Sequence, residues 1–337
     1  MENRTPDPTL PPQVLATLLA LAADGDPTEP TAWRSVDVLR SLEEQVVQGQ
    51  RAFEYWAAVC AQAAKQCTSP TAAALFERNA FNARRRVPDA DWGVVLTVGQ
   101  QVEQTIHALP ICHRSLWLLG MHAYDMGVLC RDGERFDDAA HYQETAAEQF
   151  RALGDIPSAM ISSFLVAVET MNAVLHQGHD HARALERLDA AYLSVAEVLP
   201  GHGWWPNVPL HLLLAHAWAN DLGYAAFDKY AAFFLAAGTN ARLAHWSRLV
   251  TAMKLIRERQ LEPALFALDA VIARAEEDRN GDVTMTARLL KARLFPMTYM
   301  PDAARDEYQA IALWTGLKGR VVMAIAKREL AALPIAV

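Results

Sequence analysis

Asp137, His141, Glu144 and Glu148 bring one imidazole and three carboxylates into a single short stretch, "ERFDDAAHYQETAAEQFRALGD". At 100° per residue the last three fall within about 40° of Asp137, so all four line one stripe of a helix. Such a stripe can hold a divalent metal or move protons when other helices send matching ligands inward. Here Phe136, Ala139, Ala146, Ala147, Phe150 and Leu153 take the opposite side. A helix divided this way buries the second face and wets the first. The expectation is a solvated acidic surface and no metal.

Other chemistry-bearing groups meet a similar fate. His176, His179, Asp180 and His181 form "HQGHDH" in a turn, with no established zinc spacing. Cys60 and Cys67 share a helical face, but two thiols are half a tetrahedral site and buried apolar cysteines are expected. "RRR" at 84–86 suits a helix C-terminus, where cations favour the dipole. Trp204 and Trp205 in "GHGWWPN" either pack against the next helix or, if exposed, make a binding hot spot. No Walker loop, dinucleotide fingerprint, nucleophile elbow or HExxH occurs. No catalytic residue and no cofactor is assigned.

The elements that must carry these groups are helical. Alternating β-branched runs and tight hairpin signals are lacking, while apolar residues recur at helical spacing. Breaks come every fifteen to twenty residues, as at "CTSP", "RDGER", "LGDIP" and "MPDA". The chain reads as all-α. At 337 residues and 52% hydrophobic it can bury a large core, and its net charge of −8 argues against binding nucleic acid through phosphates. Four cysteines do not make a disulfide framework and fit a cytoplasmic protein. "VLATLLALAA" at 14–23 lacks a positive lead-in and is too short to span a bilayer. Residues 1–12 read as a flexible proline-rich tail, with no membrane association expected.

A repeat underlies the helices. A small residue followed by larger ones four and seven positions on occurs at Ala184, Ala226, Ala264 and Ala304, with a weaker copy at Ala139, and the intervals are 38 to 45 residues. The glycine turn at Gly154 recurs at Gly238 and Gly281. "GMHAYDMGVLCRDGERFDDAAHYQETAAEQFRALGD", with Gly127, Gly133, Phe136 and Ala139, resembles a tetratricopeptide repeat of the longer type, clearest over 111–337. Residues 13–110 carry divergent helical pairs that continue it. The resemblance implies a right-handed α-solenoid of about seven helix-turn-helix repeats with a C-terminal capping helix. "FDD" at 136–138 and "NDLGYAAFD" at 220–228 invite comparison with class I terpene cyclases, but Ala140 and His141 interrupt the first motif, and Tyr224 and Asp228 replace parts of the second.

One set keeps step with the repeat. Arg248, Arg288 and Arg328 are 40 residues apart, and Thr251 and Lys291 follow one helical turn on. In stacked repeats equal offsets make a row, a basic ladder suited to an acidic peptide or a C-terminal carboxylate. The function expected is a non-catalytic protein- or peptide-binding adaptor or scaffold. The alternatives are a peptide- or ligand-responsive regulatory sensor and, at the margin, an all-α metal-dependent enzyme resembling the terpene cyclases.

Overall fold

The computed structural model describes residues 52–87, 90–200, 205–236, 243–278, 280–298, 300–314 and 319–333. The tail, the first expected helices, Trp204 and Gly238 lie outside them. Among the described residues there are fourteen α-helices and no strand. They are α1 (Ala52–Gln66), α2 (Pro70–Arg85), α3 (Trp92–His107), α4 (His113–Asp132), α5 (Phe136–Ala152), α6 (Ile156–Gln177) and α7 (Ala182–Ala196). Then follow α8 (Asn207–Trp218), α9 (Phe227–Ala236), α10 (Ala244–Arg257), α11 (Leu261–Glu277), α12 (Gly281–Leu294), α13 (Pro301–Ala312) and α14 (Arg320–Ala332).

Local chemistry sets many of these ends. The Ser69 hydroxyl accepts from the Ala72 amide at 3.4 Å, and Pro70 opens α2, where a missing N–H costs nothing. Asp91 accepts from the Val94 amide at 2.9 Å and starts α3. After α5, Gly154 takes φ +72°, and the Asp155 amide reaches back to the Phe150 carbonyl at 2.9 Å. Asp155 then caps α6 by accepting from the Ser158 amide at 3.2 Å. The "LGD" exit is thus one helix stop joined to the next helix start. Gly281, expected as the same kind of turn, instead begins α12.

The chain divides into two compact units, and in described residues the first comprises 52–133 and 141–162. Its core joins Trp56, Phe76, Phe81, Leu118, Met126 and Phe150. Truncating a ring buried like Phe81 would cost about 3–5 kcal/mol. Glycines let helices approach where rings or amides cross: a Cβ on Gly120 would meet Phe150 at 3.0 Å, and one on Gly127 would meet Gln143 at 2.5 Å. Gln143 is itself buried and donates to the Tyr124 carbonyl at 3.2 Å. The helices α3 and α4 pack on each other across residue 110.

The second unit comprises 134–140 and the described residues from 163 onward. From α7 to α14 each helix packs on its neighbour in chain order, and α10, α12 and α14 also touch in sequence. Ala184, Ala264 and Ala304 are buried, followed by buried Leu188, Leu268, Val271, Tyr308 and Ile311. Ala226 departs from this set, standing one residue before α9 and partly exposed. Arg293 ties the unit together. Its guanidinium donates to the Ala217 and Trp218 carbonyls at 2.6 and 2.9 Å, closing the end of α8, and pairs with Glu329 of α14 at 2.6 Å. By length and composition α6 could cross a membrane. More than half of that window is buried in the protein, and it carries a buried Glu169 that accepts from Asn172 at 3.1 Å.

Candidate functional site

The five ladder positions fall on alternate helices: Arg248 and Thr251 on α10, Arg288 and Lys291 on α12, Arg328 on α14. They are not a row of free cations. Arg288 lies between Glu276 at 2.7 Å and Glu307 at 2.6 Å, and Lys291 between Asp269 at 2.6 Å and Glu307 at 2.8 Å. Burial alone would lower both basic pKa values, but hydrogen bonds to these carboxylates raise them. Arg328 donates to the Leu175 and His176 carbonyls and closes the end of α6, beside Gly178 at φ +76°. Arg248 is exposed and makes no ion pair among the described residues, and Thr251, exposed too, donates to the Ser247 carbonyl at 2.9 Å.

The acidic stripe is wet: Asp137, His141, Glu144 and Glu148 are all exposed, while Phe136, Ala139, Ala146, Ala147 and Phe150 are buried. Among the described residues no three His, Cys, Asp or Glu side chains converge as metal ligands. His176 contacts Phe136 and Glu134. Its ring tilts on Phe136 at 5.3 Å, and Nε2 lies 3.3 Å from Glu134, whose backbone takes φ +63°. These residues, with Asp137, Asp138 and Gln177, line a small open pocket of about 140 Å³.

Two polar clusters lie inside the protein. In the first unit Asp125 accepts from Arg78 at 2.6 Å, Asn82 at 3.1 Å and Arg85 at 3.2 Å. Burial would push its carboxyl up, but the guanidiniums of Arg78, Arg85 and Arg86 outweigh that and hold it below the usual carboxylate range. Beside it His122 is buried against Phe81 and donates from Nε2 to the Gly99 carbonyl at 3.0 Å. Burial moves its pKa down to about 4, so the ring is neutral.

The second cluster gathers in the other unit around His216, which is 3% exposed. Its Nδ1 lies 3.1 Å from Asp221, which follows Asn220 at φ +59° in the turn after α8. Its Nε2 faces Asp189 of α7 at 3.6 Å. The Tyr224 ring stacks on the imidazole at 3.5 Å and 5°. Tyr230 is 6.0 Å from Tyr224 and 4.7 Å from Tyr192, and half-buried Trp205 lies 6.0 Å from Tyr192. Trp205 therefore packs on an aromatic wall. Burial, then the charges of Tyr192 and Asp189, push the Tyr230 hydroxyl up to about 12, and burial raises Tyr224 as well. Three buried polar atoms here lack any hydrogen-bond partner: Asp189 Oδ1, His216 Nε2 and Tyr224 Oη. Buried polar atoms are normally satisfied, and the first cluster has three such atoms of its own, Arg78 Nε, Arg85 Nε and His122 Nδ1, so both clusters are candidate sites.

Sequence reasoning missed both clusters. Positions 189, 216, 221 and 224 follow no motif, and the one signal was "NDLGYAAFD", which contains Asp221 and Tyr224. No family model, curated protein or solved structure matches this chain.

Proposed function

We propose that the chain is a non-catalytic binding module, a tetratricopeptide-like α-solenoid that holds a protein or peptide. The observation that carries this reading is the register of α10 to α14. Helix pairs 40 residues apart bury Ala264 and Ala304 alike, and α10, α12 and α14 lie side by side. Stacked pairs of this kind build extended surfaces rather than enclosed chambers. An acidic peptide or C-terminal carboxylate remains the proposed partner, with Arg248 as its exposed anchor. Arg288 and Lys291 position neighbouring helices through their own carboxylates. Fluorescence anisotropy with acidic peptides ending in a free carboxylate tests this. Binding should be saturable and should weaken about fivefold in Arg248→Glu. Affinity unchanged by that reversal, or no binding across such peptides, would overturn the acidic-partner reading.

A second reading, a ligand-responsive sensor, is favoured by the three unsatisfied atoms around His216.

A further inference from the structure

We propose that the exposed faces of α7, α9, α11 and α13 form a docking surface for a basic amphipathic helix. A second row of residues keeps step with the repeat. Six positions after each repeat alanine stand Ala190, Ala232, Ala270 and Ala310, and nine positions after it stand Leu193, Leu235, Ala273 and Leu313. All are exposed, Leu193 to 63% and Leu313 to 79%. At 100° per residue this strip lies opposite the repeat alanine and its partners four and seven positions on. Single exposed leucines need no explanation, but apolar residues at the same two exposed offsets in four successive repeats do. Neighbouring strips lie side by side. The Tyr192 and Tyr230 rings meet at 4.7 Å between α7 and α9, and Lys291 grips both Asp269 of α11 and Glu307 of α13.

The rim of the strip selects its partner. Two positions after the repeat alanine stand Glu186, Asp228 and Asp306, and thirteen after it Glu197 and Glu277, all exposed on the same side of their helices. Phe266 takes this place in α11 and is 80% exposed, an aromatic of the kind enriched in interface cores. Asp228 and Glu277 are paired with Arg257 and Arg274, whereas Glu186, Glu197 and Asp306 make no ion pair among the described residues. Cations are few here. Arg183 and Arg187 stand on the first turns of α7, Lys229 lies over the Tyr192 and Tyr230 rings, and Arg305 is half-buried. In α11 and α13, once Arg288 and Lys291 have answered Asp269, Glu276 and Glu307, the remaining Glu262, Glu277, Asp302 and Asp306 face only Arg274 and Arg305. A second copy would set acid against acid, and an anionic membrane would be repelled by the same rim. A helix with leucines flanked by lysine or arginine satisfies both the apolar strip and its acidic border.

This surface goes beyond the acidic-partner reading and makes no use of Arg248. The experiment is fluorescence anisotropy of the full chain with a labelled helical peptide of about eighteen residues, leucine along one face and lysine beside it. Two control peptides replace lysine by glutamate or scramble the order. Saturable binding of the leucine–lysine peptide is expected, at least about tenfold tighter than either control. Phe266→Gln and Leu313→Gln should each weaken it about fivefold, and Asp306→Lys severalfold. All three side chains are exposed, so circular dichroism and melting temperature should stay unchanged. Comparable affinity for the scrambled peptide would reduce the effect to net charge and overturn the proposal. So would tighter binding of the glutamate peptide, absence of saturation, or affinity untouched by the three substitutions. Self-association in analytical ultracentrifugation that is lost in Leu313→Gln would overturn it too, reassigning the face to a second copy.

Discussion

Acidification should destabilise this protein through His122 before its carboxylates titrate. The imidazole is 1% exposed, and burial moves its pKa from 6.5 to about 4. In the unfolded chain the same ring returns to water and takes a proton near its ordinary value. Over this interval the unfolded state binds more protons than the folded one. The stabilisation is therefore present above pH 6.5 and is lost as pH falls toward the folded value. Integrating from pH 7 to 5 with those two values gives a loss of about 2 kcal/mol, growing to about 3 kcal/mol at pH 4. Asp125 adds little in this window, because its pKa lies below 3.8 and its contribution goes only at lower pH. The assay is urea unfolding at pH 7, 6 and 5, followed by far-ultraviolet circular dichroism, for the wild type and His122→Gln. Glutamine can still donate to the Gly99 carbonyl but does not titrate. Between pH 7 and 5 the wild type should lose about 2 kcal/mol more than the variant. Parallel stability curves would refute the idea that a neutral imidazole is locked in this core.

Asp125→Asn leaves Arg78 and Arg85 in the interior without their carboxylate and should cost about 3–5 kcal/mol by urea titration. A loss under 1 kcal/mol, on the order of a surface pair, would show that the cluster is solvated. A Cβ at Gly133 would come 2.1 Å from the Trp92 ring, whose Nε1 donates to the Leu129 carbonyl at 2.8 Å. Gly133→Ala should therefore destabilise by about 1–3 kcal/mol, read from the same titration, with wild-type stability counting against the packing described. Cys112 is exposed, and its thiol pKa is lowered chiefly by the Ser115 backbone amide, whereas burial raises that of Cys67. Mass spectrometry after brief alkylation should find Cys112 modified first, Cys67 later, and buried Cys60 and Cys130 only on unfolding. Arg288→Glu should lower the melting temperature by setting a third carboxylate against Glu276 and Glu307, while the exposed Arg248→Glu should not.

Much of the local architecture was legible from residues alone, because it depends on neighbours in the chain. Periodicity placed Phe136, Ala139, Ala146, Ala147 and Phe150 on a buried face and Asp137, His141, Glu144 and Glu148 in water. Ser69-Pro70 and the "LGD" exit acted through hydrogen bonds spanning three to five residues. The alanine spacing picked out buried positions at Ala184, Ala264 and Ala304.

What a side chain far along the chain would meet was decided only by tertiary packing. Arg248, Arg288 and Arg328 share one period yet have three different surroundings: open water, two carboxylates from α11 and α13, and the carbonyl end of α6. His216 took its neighbours from positions 189, 221 and 224, and Asp125 drew on Arg78 more than forty residues away. A periodic pattern tells which face of a helix is dry, since that follows from the 3.6-residue turn. Which charges and rings converge depends on how the helices dock, and it is that docking that left three polar atoms around His216 unsatisfied.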